Sequence, residues 1–251
     1  MIRLFLNKTN LRYIVTGVLL TSLLVLSVLF IKQRKAHELA TQPRALPSVS
    51  YYPVPKSMGP DSAPIKIIEY SDFECPSCRF ATEVLHQLFA TYSGKIQLVY
   101  HHYPLTGHPW SAHAHQAAEC MHIQGKFWPY HDMLYRNQRE WAAMPEAPVP
   151  KLMEYAEGCG ANMELFLNCM ADPAVTSGIY AEKNEGTLRQ VNATPTFFMG
   201  DKRYVGAREL QERGENDIRR VLGLPELSFS APPEPQVDQT PKPPTAVPGG
   251  E

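Results

Sequence analysis

The 251-residue chain has no surplus of charge of either sign: 24 Lys and Arg stand against 25 Asp and Glu. It therefore lacks the basic footprint of a nucleic-acid binder. No internal repeat is present, and 44% hydrophobic with 20% charged residues excludes a collagen-like or wholly disordered chain. Cysteine is scarce. Of five, only Cys75 and Cys78 are spaced as CxxC, so the second half of a paired-CxxC zinc site is missing. The stretch from Tyr13 to Ile31 has no charge at all. From Ala231 to Glu251 aromatic residues are absent, and seven prolines stand between Pro232 and Pro248. Such a segment cannot bury apolar area, so 223–251 reads as a disordered tail, with a proline-rich ligand as the alternative.

The nineteen uncharged residues 13–31 are close to the ~20 needed to cross a bilayer as a helix. A cleaved signal has a shorter apolar region, about 7–15 residues, followed by a small-x-small site. Here Lys32, Arg34 and Lys35 follow instead. Residues 13–31 are therefore expected to form an uncleaved transmembrane anchor, with cleavage near Ala40 as the alternative. Arg3, Lys8 and Arg12 on one side match the three cations on the other, so loop charge gives no orientation. The cysteine chemistry needs an oxidising compartment, which puts 1–12 in the cytoplasm and the body outside it. Residues 32–57 are polar and proline-punctuated, and read as a spacer.

Within the body, Ile65 to Tyr70 is a short apolar run expected of a strand buried on both faces. Pro76 suits a first helical turn, and Phe80, Val84, Leu85, Leu88 and Phe89 recur at helical spacing up to Ser93 and Gly94. Ile96 to Tyr100 reads as a second strand. From Trp110 to about Arg189 the periods are helical, broken at Gly125, Pro145 to Pro150, Gly158 to Gly160 and Asp172-Pro173. Thr196 to Met199 and Arg203 to Val205 form a hairpin about Gly200-Asp201, and a helix from Arg208 to Leu222 closes the body. The fold class is α/β, with strands framing a helical block.

The chemistry centres on Cys75-Pro76-Ser77-Cys78, where the first strand hands over to the first helix. Two cysteines three apart at a helix start lie within bonding reach of each other. The first faces unpaired N–H groups and the positive end of the dipole. Cys75 is thus expected to be the exposed nucleophile with a lowered pKa, and Cys78 the buried resolving thiol. Structural zinc and an ordinary structural bridge are the alternatives. Seven of the nine histidines fall between His101 and His131, but His113 and His115 point to different helix faces, and no metal site is expected. Phe127, Trp128, Tyr130 and Tyr135 read as core.

The stretches MGPDSAPIKIIEYSDFECPSC, YHHYPL, HAHQAAECMHIQGKFWPYHDMLYRNQ and NATPTFFMG, in this order and spacing, resemble the DsbA-like branch of the thioredoxin superfamily. The resemblance covers about Met58 to Leu222. It implies a thioredoxin fold over 58–222 with a helical domain inserted at about 107–190, preceded here by the transmembrane helix. It also implies a thiol:disulfide oxidoreductase that needs no cofactor beyond its own redox-active disulfide. The family's cis-proline matches Pro195, and Thr194, Pro195, Thr196, Pro76 and Ser77 would border a bound extended peptide. The family's buried acid beneath the resolving cysteine matches Glu69, expected to relay the proton of Cys78. A carboxylate at an exposed strand edge is the alternative. Asp72 and Glu74 are expected to adjust the field around the pair.

Three cysteines remain. If 161–170 is helical, Cys159 and Cys169 lie about 15 Å apart along its axis, beyond the ~7 Å limit for a bridge. That reading leaves Cys120 as a member of any pair. The resemblance implies a Cys120–Cys169 disulfide with Cys159 a buried free thiol, and three free thiols is the alternative. It further implies thiol-containing exported clients, a membrane redox partner of the DsbB or VKOR type, and a single-pass protein of the bacterial inner membrane facing the periplasm. Thr194 departs from the valine of the best-known oxidase of the branch and matches isomerases, so a reductase or isomerase kept reduced by a membrane electron donor stays open. A non-catalytic peptide-binding domain is a minor alternative, because such domains tend to lose one or both cysteines that this chain keeps.

Overall fold

The computed structural model describes residues 8–41 and 55–229. Two compact units divide it, 1–49 and 50–251. The first contains one described element, helix α1 (Lys8–Thr41), in which Val15–Lys35 forms a 21-residue span of mean hydropathy 2.2. At 1.5 Å per residue such a span is about 31 Å long, the thickness of a bilayer's hydrocarbon core. The helix continues past the expected end of the anchor, through the first ten residues read as spacer. The rest of that spacer up to 54, residues 1–7, and the tail from 230 lie outside the described residues.

The second unit is built on a five-stranded sheet of order β1-β3-β2-β4-β5. β1 (Lys56–Met58) and β3 (Ile96–His102) pair antiparallel, and β2 (Ile65–Ser71) and β3 are parallel, joined through α2 (Pro76–Thr91). β4 (Thr196–Met199) pairs antiparallel with β2 and with β5 (Lys202–Val205). The β4–β5 hairpin turns on Gly200-Asp201, with Gly200 at φ 61°. One face packs Ile65, Ile67, Leu98 and Phe197 against Ala81, Leu85 and Leu88 of α2, and against Leu210 and Ile218. The last two come from the closing helical stretch: α9 (Gly206–Glu209), a π-helical turn (Leu210–Gly214) and α10 (Glu215–Val221).

Six helices stand between β3 and β4: α3 (Ser111–His122), α4 (Phe127–Arg136), α5 (Gln138–Trp141), α6 (Val149–Gly158), α7 (Met163–Met170) and α8 (Pro173–Leu188). Phe127, Tyr130, Tyr135 and Trp141 are buried in their core, and Trp128 is partly buried against it. Phe73, Tyr100 and Cys78 join the same core, which therefore reaches the CxxC turn. On the other flank α8 lies close against β2. A Cβ at Gly186 would sit 2.7 Å from the Tyr70 ring, so only glycine allows this approach.

The structure corrects the sequence reading at both ends of the body. Lys56 and Ser57 are not spacer but the start of β1. Lys56 is 4% exposed, with its ammonium 3.1 Å from Glu119 and 2.5 Å from Glu182. A three-residue strand offers no periodicity to read, and its burial depends on carboxylates 63 and 126 positions away. The tail does not begin at Gly223. Arg219 donates to the Pro225 carbonyl, and Asn216 exchanges two hydrogen bonds with the backbone of Leu227, fastening these residues along α10.

Candidate active site

Cys75 is the N-cap of α2, with extended backbone angles, and Pro76 occupies the first helical position, where its missing N–H costs nothing. The N–H groups of Cys78 and Arg79 turn back to the Cys75 carbonyl at 3.1 and 3.3 Å. The two cysteines are unbridged. Interaction with Cys78 is the main cause that lowers the Cys75 thiol to about 6. Burial opposes it, while the Thr194 side chain and the backbone of Cys78 and Ser77 assist. Burial pushes Cys78 well up, in spite of the Asp72 N–H that donates to its sulfur at 3.4 Å. The two thiols are thereby driven apart, one toward thiolate and one toward thiol.

Cys75 is more covered than an exposed nucleophile should be, at 7% of its surface against 0% for Cys78. The cover comes from the loop before β4, where the Thr194–Pro195 peptide bond is cis and the Thr194 carbonyl lies 3.4 Å from the Cys75 sulfur. Thr194 and Pro195 are thus brought to the pair, beside exposed Pro76 and half-buried Ser77. Thr196 is placed differently. It is 1% exposed and its hydroxyl is donated to the Ala193 carbonyl at 2.7 Å, so its side chain braces the turn instead of meeting a peptide.

Glu69 lies in β2 between Tyr100 of β3 and Phe197 of β4, with no exposed surface and no hydrogen-bond partner on either carboxyl oxygen. It is not at an edge. Burial raises it to about 7, partly offset by the Ser71 hydroxyl. Ser71 also bears on Cys78 and lies 3.0 Å from the Tyr135 hydroxyl, which donates to the Asp72 carbonyl. Ser71 thus bears on both Glu69 and Cys78, all three fully buried, and a carboxyl that is half protonated near neutrality has the pKa to exchange a proton with a thiol.

Sequence reasoning gave Asp72 too small a part. It is fully buried, and its carboxylate accepts hydrogen bonds from the Glu74 and Leu105 N–H groups, the Ser111 hydroxyl and His108 Nδ1 at 2.7–2.9 Å. Burial alone would raise its pKa, but His108, His115 and Leu105 hold it well below the carboxylate range. Glu74 accepts from the Trp110 N–H at 2.8 Å, and Gln138 Nε2 donates to the Phe73 and Cys75 carbonyls, both at 2.8 Å. The Cys75–Cys78 turn is clamped on two sides by the helical block. The one available signal was an aspartate between two buried runs, because all of its partners but the Glu74 N–H lie 33 to 39 positions on.

Behind Asp72, His115 and His102 meet through their Nδ1 atoms at 2.6 Å, and His102 Nε2 is 2.9 Å from Glu119, which also binds Lys56. Burial drives His102 well below its ordinary value. These histidines tie strand to helix. Cys120 (α3) and Cys169 (α7) form a disulfide with Cα atoms 5.6 Å apart, and Cys159 is free but half-buried, because it caps α6 at the rim of the core.

A thioredoxin family model matches residues 53–215. Among solved structures, a thioredoxin-like oxidoreductase from Silicibacter pomeroyi is 24% identical, with a TM-score of 0.56, over 68% of this chain and 94% of that one. The alpha-DsbA1 of Wolbachia pipientis is 22% identical with a TM-score of 0.61, over 71% and 94%. BdbD from Bacillus subtilis is 21% identical with a TM-score of 0.59, over 66% and 92%. These likenesses show a shared fold. A curated relative, the Na(+)/H(+) antiporter NhaA 3 of Salinispora tropica, is 34% identical over 154 residues, which are 61% of this chain and 22% of that protein. The chain thus spans about a fifth of that relative's length.

Proposed function

Because this chain belongs to the thioredoxin family, we propose that it is a membrane-anchored thiol:disulfide oxidoreductase of the DsbA-like branch, which passes the Cys75–Cys78 disulfide to exported client proteins. One observation carries the reading. A thiol lowered to about 6 at a helix N-cap stands beside a second thiol held neutral by burial, under a cis-proline loop.

A client thiolate attacks the Cys75 sulfur, the Cys75–Cys78 bond breaks, and the Cys78 sulfur leaves with the electron pair. Cys78 is too buried to stay charged and takes a proton, for which protonated Glu69 is the proposed source, supported by the raised pKa of that buried carboxyl. A second client thiolate then attacks the client sulfur of the mixed disulfide. Cys75 leaves as a thiolate, and its low pKa makes it a good leaving group. The client gains a disulfide and the enzyme holds two electrons, to be removed by a membrane redox partner of the DsbB or VKOR type. No organic cofactor enters this cycle. Stabilising the Cys75 thiolate favours the reduced enzyme and so makes the pair oxidising.

An extracytoplasmic, periplasm-facing location is supported by α1 and by the Cys120–Cys169 disulfide, a bond that persists where thiols are not kept reduced. The reverse direction, a reductase or isomerase fed by an electron donor, is the alternative, since Thr194 and the Pro76-Ser77 dipeptide are compatible with either. Acid-quench trapping of Cys75 and Cys78 in native membranes, with Cys75→Ser and Cys78→Ser as references, separates the two. A mostly oxidised pair is expected, and a mostly reduced pair reverses the direction.

A further inference from the structure

The dipeptide between the cysteines, Pro76-Ser77, carries no cation, while Asp72 and Glu74 put two carboxylates within three residues of Cys75. A thiolate beside them is opposed by like charge. Arg79 does not answer this. Its guanidinium stacks over the exposed Phe80 ring at 4.9 Å. The imidazoles at Asp72 are His115, 3.6 Å away and without exposed surface, and His108. The His108 ring lies 2.8 Å from Asp72 through Nδ1 and keeps 24% of its side chain exposed, so it can exchange a proton with solvent while held in place. Three further hydrogen bonds fix the loop that carries it: Leu105 N–H and Ser111 hydroxyl to Asp72, and Trp110 N–H to Glu74.

We propose that His108, presented by the 105–111 loop and oriented by Asp72, whose own carbonyl accepts the Cys75 N–H at 3.1 Å, is the positive charge that favours the Cys75 thiolate. It is a positioning residue acting through its field. The groups that bear on it are Asp72, Glu74 and Cys75. The Asp72 hydrogen bond raises its pKa first of all, with the charges of Glu74 and Cys75 adding to it. Asp72 thus has two effects on Cys75: its own charge opposes the thiolate, and the imidazolium it stabilises favours it. The inference rests on the redox reading of Cys75 and Cys78.

The test is a pH titration of ultraviolet thiolate absorbance on the full-length protein in detergent, with His108→Gln, His108→Ala and His108→Lys beside the native chain. Gln can still donate to Asp72 but carries no charge, and Lys keeps the charge. The Cys75 midpoint is expected to rise by about one pH unit in His108→Gln and His108→Ala, which is about tenfold less thiolate below the native midpoint. His108→Lys is expected to restore it. A His108→Gln midpoint equal to the native one, or a His108→Lys midpoint as high as that of His108→Gln, overturns the proposal. A measurement on unmutated protein guards against misfolded variants: the His108 ring should titrate at higher pH in the dithiol form than in the disulfide form by NMR, and equal midpoints overturn the proposal. If native Cys75 shows no lowered midpoint and no exchange with a dithiol peptide, the redox reading itself falls, whatever His108 does.

Discussion

Two pairs of cysteines in this chain meet opposite surroundings. Cys120 and Cys169 join α3 to α7 in the apolar core of the helical block, 0% and 2% exposed, among alanines, Met121 and Phe166. Nothing nearby stabilises a thiolate, and the bridge spans 49 positions, so its effect is to restrict the unfolded chain. Cys75 and Cys78 close a loop too short for that. They lie instead at a helix start, against the Thr194 carbonyl and the Asp72 N–H. In the proposed function the same kind of bond is a strut in one place and a reagent in the other, and the polar environment makes the difference.

Breaking the reagent has the largest effect. Cys75→Ser is expected to lose more than about 10³-fold of dithiol oxidation and to leave no mixed disulfide on a trapping gel, with the melting curve little changed. If the Cys75→Ser protein still oxidises a peptide dithiol at the native rate, the comparison between the pairs collapses. Removing the strut should do the reverse. Cys120→Ala with Cys169→Ala is expected to cost about 2–5 kcal/mol in urea unfolding while the folded fraction keeps its exchange rate.

Glu69→Gln sharpens the contrast through pH. Glu69 ionises near 7 when folded, against an ordinary value of 4.5. Its raised pKa means that its stabilising share is complete below about 4.5 and is lost as pH rises through about 7, where a charge must be buried. Glu69→Gln should therefore match the native protein in acid and exceed its stability by about 3 kcal/mol above neutrality, with slower formation of the mixed disulfide. Urea titrations across that range would contradict this if the two proteins tracked each other. The smallest effect is expected of Thr194→Val, which removes a hydroxyl that helps lower Cys75. Its thiolate midpoint should rise by less than about one pH unit, and a fall would mean that Thr194 acts otherwise.

Features set by neighbours in sequence were legible. The strand before the redox turn was read as Ile65 to Tyr70 and ends at Ser71, and the β4–β5 hairpin turns where Gly200-Asp201 puts it. The proline-opened helix and the uncharged anchor were read from the same kind of signal. β1 was missed, because it is three residues long and the burial of Lys56 depends on carboxylates of α3 and α8. The part played by Asp72 was missed too, since the groups that satisfy it arrive from the loop after β3 and from α3.

The sequence by itself determined the CxxC pair and the apolar α1, because each depends on spacing or on a run of like residues, while the cis-proline loop came from the family resemblance. Only the tertiary structure decided that Glu69 is without a partner, that Thr196 turns inward and that Lys56 lies between two carboxylates. The same holds for the place of His108 beside Asp72. Each of these depends on which distant polar group reaches a buried atom, and burial makes that contact decisive, since water is not there to replace it.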